Sequence, residues 1–178
     1  MAGPKMSNGS QSLQTAGTPQ WLYDAFTKVI PCGIDVAASA ANTKCSLFYS
    51  EQDDALKQDW HSMTNKDLAA WCNHPYADCG LFVKKAREET DLGATILQLQ
   101  PAALHRVYYK TYIKGGPCAR VLLNCPIKFD GYNLASSILH ALFVWNSGLQ
   151  GLDLLLELDP RDEDETREKL GKLKDLFV

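Results

Sequence analysis

The sequence predicts an α+β fold: a single domain in which a mostly antiparallel sheet packs against helices. Two observations carry that expectation. Stretches with apolar residues at helical spacing are mixed with stretches that alternate or run apolar without a break, and their order lacks the steady βα alternation of a doubly wound sheet. The chain has 178 residues, 46% hydrophobic and 22% charged, which suits one soluble domain that buries its own core.

Residues 1–17 are mostly Gly, Ser, Gln and Thr and read as a flexible polar tail, leaving 18–178 as the globular domain. Thr18-Pro19 suits a helix start, and Trp21, Leu22, Ala25, Phe26 and Val29 recur at helical spacing until Pro31. Cys45, Leu47 and Tyr49 alternate with Ser46 and Phe48 as a strand does. Thr64 with Asp67 resembles a capping signal and predicts a short helix through Leu68, Ala69, Trp71 and Cys72. A second helix is expected over 76–89, with Cys79, Phe82, Val83 and Ala86 inward and Gly93 as its stop. Thr95 to Leu99 reads as a strand. Residues 106–114 and 118–129 read as the arms of a hairpin turning at Gly115-Gly116-Pro117. Asp130 caps an expected helix holding Leu134, Ala135, Ile138, Leu139, Leu142 and Trp145. A buried strand is expected at 152–158. Asp159-Pro160 then opens a last helix with Leu170, Leu173, Leu176 and Phe177 as its stripe and Glu165–Lys169 and Glu168–Lys172 as favourable pairs.

The net charge of −3 names no partner, but the charges are unevenly placed. Leu92 to Phe129 contains no Asp or Glu, and Arg106, Lys110, Lys114, Arg120 and Lys128 make it +5 against −8 for the rest. In an extended strand Arg106, Tyr108, Lys110, Tyr112 and Lys114 point to one face, which Arg120 on the facing arm joins. Such a face holds phosphates by charge and stacks on bases, or lies on anionic lipid headgroups. An ordinary solvated sheet face is the blander alternative. These six residues form the candidate anion-binding site.

The other constellations reduce to structural roles. Six cysteines are scattered along a chain without an apolar leader, so free thiols are expected in an intracellular protein, cytoplasmic or at the inner face of a membrane, and not secreted. Cys72, His74 and Cys79 make one loose cluster where structural zinc uses two ligand pairs, so no metal is expected. Gly115-Gly116 lacks the Lys-Ser/Thr of a phosphate loop, and the apolar runs are too short to span a bilayer. No cofactor is implied.

Asp78-Cys79-Gly80-Leu81-Phe82-Val83 resembles the nucleophile segment of ubiquitin-like-protein-specific cysteine proteases. The resemblance implies a thiol-dependent hydrolase using Cys79. The family's upstream His-Trp pair stands here reversed, as Trp60-His61, and a helix-facing core cysteine accounts for the segment more simply.

No nucleophile, base and oxyanion donors fall together, so the sequence reads as a non-enzymatic binding or assembly protein. Its expected partner is anionic: RNA, a nucleoprotein or an acidic lipid surface. The polar tail, the helices around 68–89, the hairpin across Gly115-Gly116, and helix 130–145 followed by strand 152–158 resemble, in order of elements, rhabdovirus matrix proteins. That resemblance implies a viral structural protein between a nucleocapsid and a membrane, a role compatible with self-association. The alternative is the Cys79 hydrolase.

Overall fold

Pro19 has no N–H to leave unpaired at a helix start, and its carbonyl accepts from Leu22 and Tyr23 to begin helix α1 (Gln20–Thr27). The structure, a computed structural model, describes residues 16–178. After α1 come β1 (Cys32–Asp35), β2 (Leu47–Phe48), β3 (Ala69–Cys72), α2 (Cys79–Asp91), β4 (Ile96–Pro101), a π-helical turn (Tyr109–Ile113), β5 (Cys118–Leu123), β6 (His140–Trp145), β7 (Leu155–Leu158) and α3 (Glu163–Lys174), with short 3-10 turns between some of them.

The seven strands form one sheet in the order β2-β1-β3-β4-β6-β5-β7. β1 is parallel to β2 and β3, β3 to β4, and β5 to β7, whereas β6 is antiparallel to β4 and β5. β6 therefore runs against the other six strands. The α+β class stands, but the sheet is mixed where a mostly antiparallel one was expected. Parallel neighbours need a long return path, and the segments between β1 and β3 and between β3 and β4 provide it.

Helices cover both faces of the sheet. Leu22 and Phe26 of α1 and Leu170 and Leu173 of α3 pack with Trp71, Leu97 and Val144 on one side. Phe82, Val83 and Ala86 of α2, with Tyr109 and Ile113, pack with Ile96, Phe143 and Trp145 on the other. Central strands are thus buried on both faces, and they read as unbroken apolar runs.

Three expectations are corrected, the first of them through that double burial. Ala69–Cys72 and His140–Trp145 are strands rather than parts of helices, because an apolar run without period fits either element. Residues 130–139 form a loop instead of a helix, with Gly131 at φ +87° and Leu134 and Leu139 exposed. Residues 106–114 are not a hairpin arm. They coil beside α2, because Tyr109 and Ile113, four apart, go inward together. At the N-terminus Ala16 and Gly17 are buried, so packing starts before the expected boundary at Thr18. The rest of the expected tail lies outside the described residues.

Candidate functional site

From β1 the chain goes to β2 on one side and then returns to β3 on the other. Ligands of open parallel sheets bind at such a reversal, beyond the carboxyl ends of the strands. Here Asp35 ends β1 and Asn73 follows β3. With Gly17, Thr18, Ala37 and Asn42 they line a polar crevice of about 10 Å³, room for about one water molecule.

Asp35 is 4% exposed. Its carboxylate accepts from the N–H of Ala37 (3.3 Å) and of Lys44 (3.2 Å), both long bonds. Burial pushes its pKa up to about 6, against the pull of those bonds and of the Lys44 charge. Asn73 donates Nδ2 to the Ala16 carbonyl (2.9 Å), which leaves its carboxamide oxygen as an acceptor. Residues 16–18 thus lie along the crevice. Asp130 N–H donates to Gly17 O (2.9 Å) and Lys44 Nζ meets Asp130 Oδ2 (3.3 Å), which fixes the segment from its other side.

Past Asn73 the chain turns through His74-Pro75-Tyr76, with Pro75 at φ −56°. His74 is 2% exposed and stacks on Phe82 at 4.7 Å, and burial pushes its pKa down. Its Nδ1 lies 3.0 Å from Pro75 O and its Nε2 lies 2.9 Å from the Gln100 amide. A neutral imidazole carries a single N–H, so it donates to only one of the two facing oxygens, Pro75 O or Gln100 Oε1. Tyr76 lies edge-on to Phe129 and 5.8 Å from the ring of His140. Burial drives the pKa of His140 down to about 4. The Tyr76 hydroxyl and His140 Nε2 are both buried beside this turn, with no hydrogen-bond partner among the described residues.

The six expected anion-binding residues do not share a hairpin face. Arg106, Lys110 and Lys114 are exposed along the helical stretch, while Tyr108 and Tyr112 are half-buried against the core. Arg120 lies in β5, 6% exposed, bonded to the Tyr109 hydroxyl, the Leu154 carbonyl (3.1 Å) and Asp153 (2.5 Å). Its charge is already matched by Asp153.

Cys79 is 7% exposed, and burial pushes its thiol up to about 11, more than the Tyr108 hydrogen bond and the Arg106 charge pull it down. Such a thiol stays protonated near neutrality and is a poor nucleophile. Cys72, His74 and Cys79 are not gathered either. Among the described residues, Asp59, His61 and Glu89 come close enough to share a cation. Glu89 there already accepts from the N–H of Trp60 (3.0 Å) and His61 (2.9 Å) and pairs with Lys85.

Asp35 and Asn73 were not singled out in the sequence. Their signal is an apolar run ending in a polar residue: Cys32-Gly33-Ile34-Asp35, and Ala69 to Cys72 followed by Asn73-His74-Pro75-Tyr76. Reading 68–72 as helix hid the second.

Comparison with known proteins bears on this crevice. A family model described as DNA N-6-adenine-methyltransferase (Dam) matches residues 10–129, more than half of the chain. That span holds every residue lining the crevice and the whole 73–76 turn. A DNA N-6-adenine-methyltransferase of Escherichia phage T1 is 39% identical over 69 residues, 39% of this chain and 27% of the phage protein. The matched region thus spans only about a quarter of that relative's length. These matches overturn the non-enzymatic, matrix-like reading, and they give no support to RNA, nucleoprotein or lipid as partners or to the Cys79 hydrolase. Among the described residues no helix is long and apolar enough to cross a membrane. On the match over residues 10–129, the chain belongs to the DNA N-6-adenine-methyltransferase (Dam) family.

Proposed function

We propose that the crevice between β1 and β3 is a methyl-transfer site acting on the exocyclic amine of adenine in DNA. The observation that carries this reading is the coincidence of the family match with the topological switch point: residues 10–129 include Asp35, Asn73 and the turn after it. DNA is the anionic partner that this reading requires, and a protein acting on it works inside a cell.

The amine of adenine is a weak nucleophile, because its lone pair is delocalised into the ring. A site that alkylates it needs acceptors that hold its two hydrogens and draw the nitrogen toward tetrahedral geometry. The Asn73 carboxamide oxygen supplies one acceptor at the crevice. Pro75 fixes the turn, and Tyr76 ends it with an aromatic ring that a purine can stack on.

The family implies an activated methyl donor of the S-adenosylmethionine class. The crevice has room for about one water and would have to widen to take such a donor; Asp35, a buried carboxylate whose two hydrogen bonds are long, has lone pairs left for a donor's hydroxyl or amino groups. When bound, such a donor supplies an electrophilic methyl group on sulfur. Asp35 and Asn73 are the residues that would hold the reactants on either side of the crevice.

The test is to incubate the chain with duplex DNA and a methyl donor labelled in its methyl group, then digest the DNA to nucleosides. Label in N6-methyldeoxyadenosine, lost on Asn73→Ala while the fold survives, is the expected result. A folded chain that labels no adenine in any DNA offered would overturn the reading.

A further inference from the structure

The edge of the sheet that carries the crevice also carries two exposed loops. Pro101 at the end of β4 pairs with His140 at the start of β6, and Ala102 N–H donates to Leu139 O (2.9 Å). Residues 102–107 and 130–139 therefore meet next to the 73–76 turn. Both loops turn apolar side chains to solvent: Val107 is 79% exposed, Leu134 82% and Leu139 51%. Cations flank them. Arg106, Lys110 and Lys128 are exposed, and among the described residues none of the three has an ion-pair partner. They belong to the stretch from Leu92 to Phe129 that lacks any acidic residue. Of the acidic groups near this edge, Asp130 is paired with Lys44, which leaves Asp78 exposed beside Cys79.

We infer that this rim is the face that takes duplex DNA, with Arg106, Lys110 and Lys128 on backbone phosphates and Val107 and Leu139 pressed against the base stack. The inference rests on the methyl-transfer reading. A base inside a duplex cannot reach a crevice as narrow as this one, so chemistry on it requires the nucleotide to leave the stack. Proteins that unstack bases use apolar side chains as wedges and cations to hold the deformed backbone. An exposed valine between Arg106 and Lys110, one loop away from Asn73, supplies both on one edge. Arg120, which the sequence pattern grouped with this set, is excluded by its burial and by Asp153.

The experiment uses the full chain and a short duplex of randomised sequence with 2-aminopurine in place of some adenines. Anisotropy reports binding, and 2-aminopurine fluorescence reports unstacking, and neither needs methyl transfer. Arg106→Glu with Lys110→Glu should weaken duplex binding by roughly tenfold or more and lower the salt slope by about two, one for each phosphate that is no longer neutralised. Val107→Ser with Leu139→Ser should bind the duplex within about threefold of the parent yet lose most of the fluorescence rise. All four positions are exposed, so unchanged melting temperatures are expected as the folding control. Parental binding and salt slope in the charge-reversed variant would overturn the DNA face. A parental fluorescence rise in the serine variant, or no rise with the parent, would overturn the wedge. Methyl transfer is measured separately: binding that needs Arg106 and Lys110 without any transfer would sink the methyl-transfer reading alone. Transfer that survives their reversal undiminished would sink the DNA face alone.

Discussion

Asn73 and Ala16 are 57 positions apart in the chain, and Asn73 Nδ2 donates to the Ala16 carbonyl at 2.9 Å. The bond brings the N-terminal segment and the turn after β3 together at one crevice. It also makes Asn73 a residue with two separable duties, one for each end of its amide. Asn73→Ala removes both, and Asn73→Asp keeps an acceptor at the crevice while facing Ala16 O with a second oxygen. Loss of the bond should cost about 1 kcal/mol of stability in Asn73→Ala and more in Asn73→Asp, where a carboxylate oxygen faces the carbonyl. Methyl transfer should fall by roughly 100-fold or more in Asn73→Ala and by less in Asn73→Asp, because an acceptor persists. Equal losses in both would mean that the bond to the N-terminal segment, and not the acceptor, is what activity needs. Chemical denaturation and a labelled-methyl assay give the two readouts.

Asp35 should make the protein less stable as pH rises. Its ordinary pKa of 3.8 goes up to about 6 in the fold because burial disfavours the charge. Below 3.8 the carboxyl is neutral in both states and costs nothing, and above 6 it is charged in both and the full cost is present. Stability therefore falls across pH 4 to 6, by an order of magnitude of ~3 kcal/mol for this one group. Asp35→Asn should remove that slope. Its melting temperature should match the parent's near pH 4 and exceed it at pH 7, while methyl transfer is lost. A neutral-pH melting temperature below the parent's would show that the hydrogen bonds from Ala37 and Lys44 outweigh the burial cost.

His140 imposes the opposite slope. Burial lowers its pKa from 6.5 to about 4, so the fold favours the neutral ring. Stability is fully present above pH 6.5 and is lost as pH falls toward 4, again by ~3 kcal/mol at most. In the parent this loss runs against the gain from Asp35 over much of the same range. His140→Gln should uncover the Asp35 slope, so that stability rises steadily as pH drops from 6 to 4. Thermal melts at half-unit pH intervals would resolve the two slopes. An acid-side fall that persists unchanged in His140→Gln would assign it to another group.

How much of this was legible in the sequence depended on whether an element had one wet face. α2 and α3 are amphipathic, so Phe82, Val83 and Ala86, and Leu170 with Leu173, revealed both elements and their buried sides. Glu165–Lys169 (2.7 Å) and Glu168–Lys172 (2.6 Å) formed as their spacing suggests. β4 was visible from Thr95 to Leu99, because β-branched and aliphatic residues run there without a helical stop. β3 and β6 have no wet face: every residue in both is buried. Without a period to read, they passed for helix. The site suffered in turn, since the significance of Asn73 comes from standing at the end of a parallel strand. The cationic stretch was visible as composition, but its geometry was not. Alternation over 106–114 also fits a coil whose inward residues are Tyr109 and Ile113.

β6 offers the sharpest check on that assignment. Were 130–145 a helix with Leu139 and Leu142 on its inner side, Leu139→Ala would cost roughly 2–5 kcal/mol. In the sheet, Leu139 sits before the strand, 51% exposed, and the same substitution should cost no more than about 0.5 kcal/mol. Phe143 and Val144, adjacent in sequence, would lie 100° apart around a helix and only one would be deeply buried. In the strand they face opposite core layers and are 1% and 0% exposed. Phe143→Ala should then cost about 3–5 kcal/mol, and Val144→Ala should be destabilising as well, through a cavity on the other side of the sheet. Urea denaturation of the three single variants decides the matter. A costly Leu139 alongside a cheap Phe143 or Val144 would return the segment to a helix, and with it would go the pairing of Pro101 with His140 that brings the DNA-facing loops together.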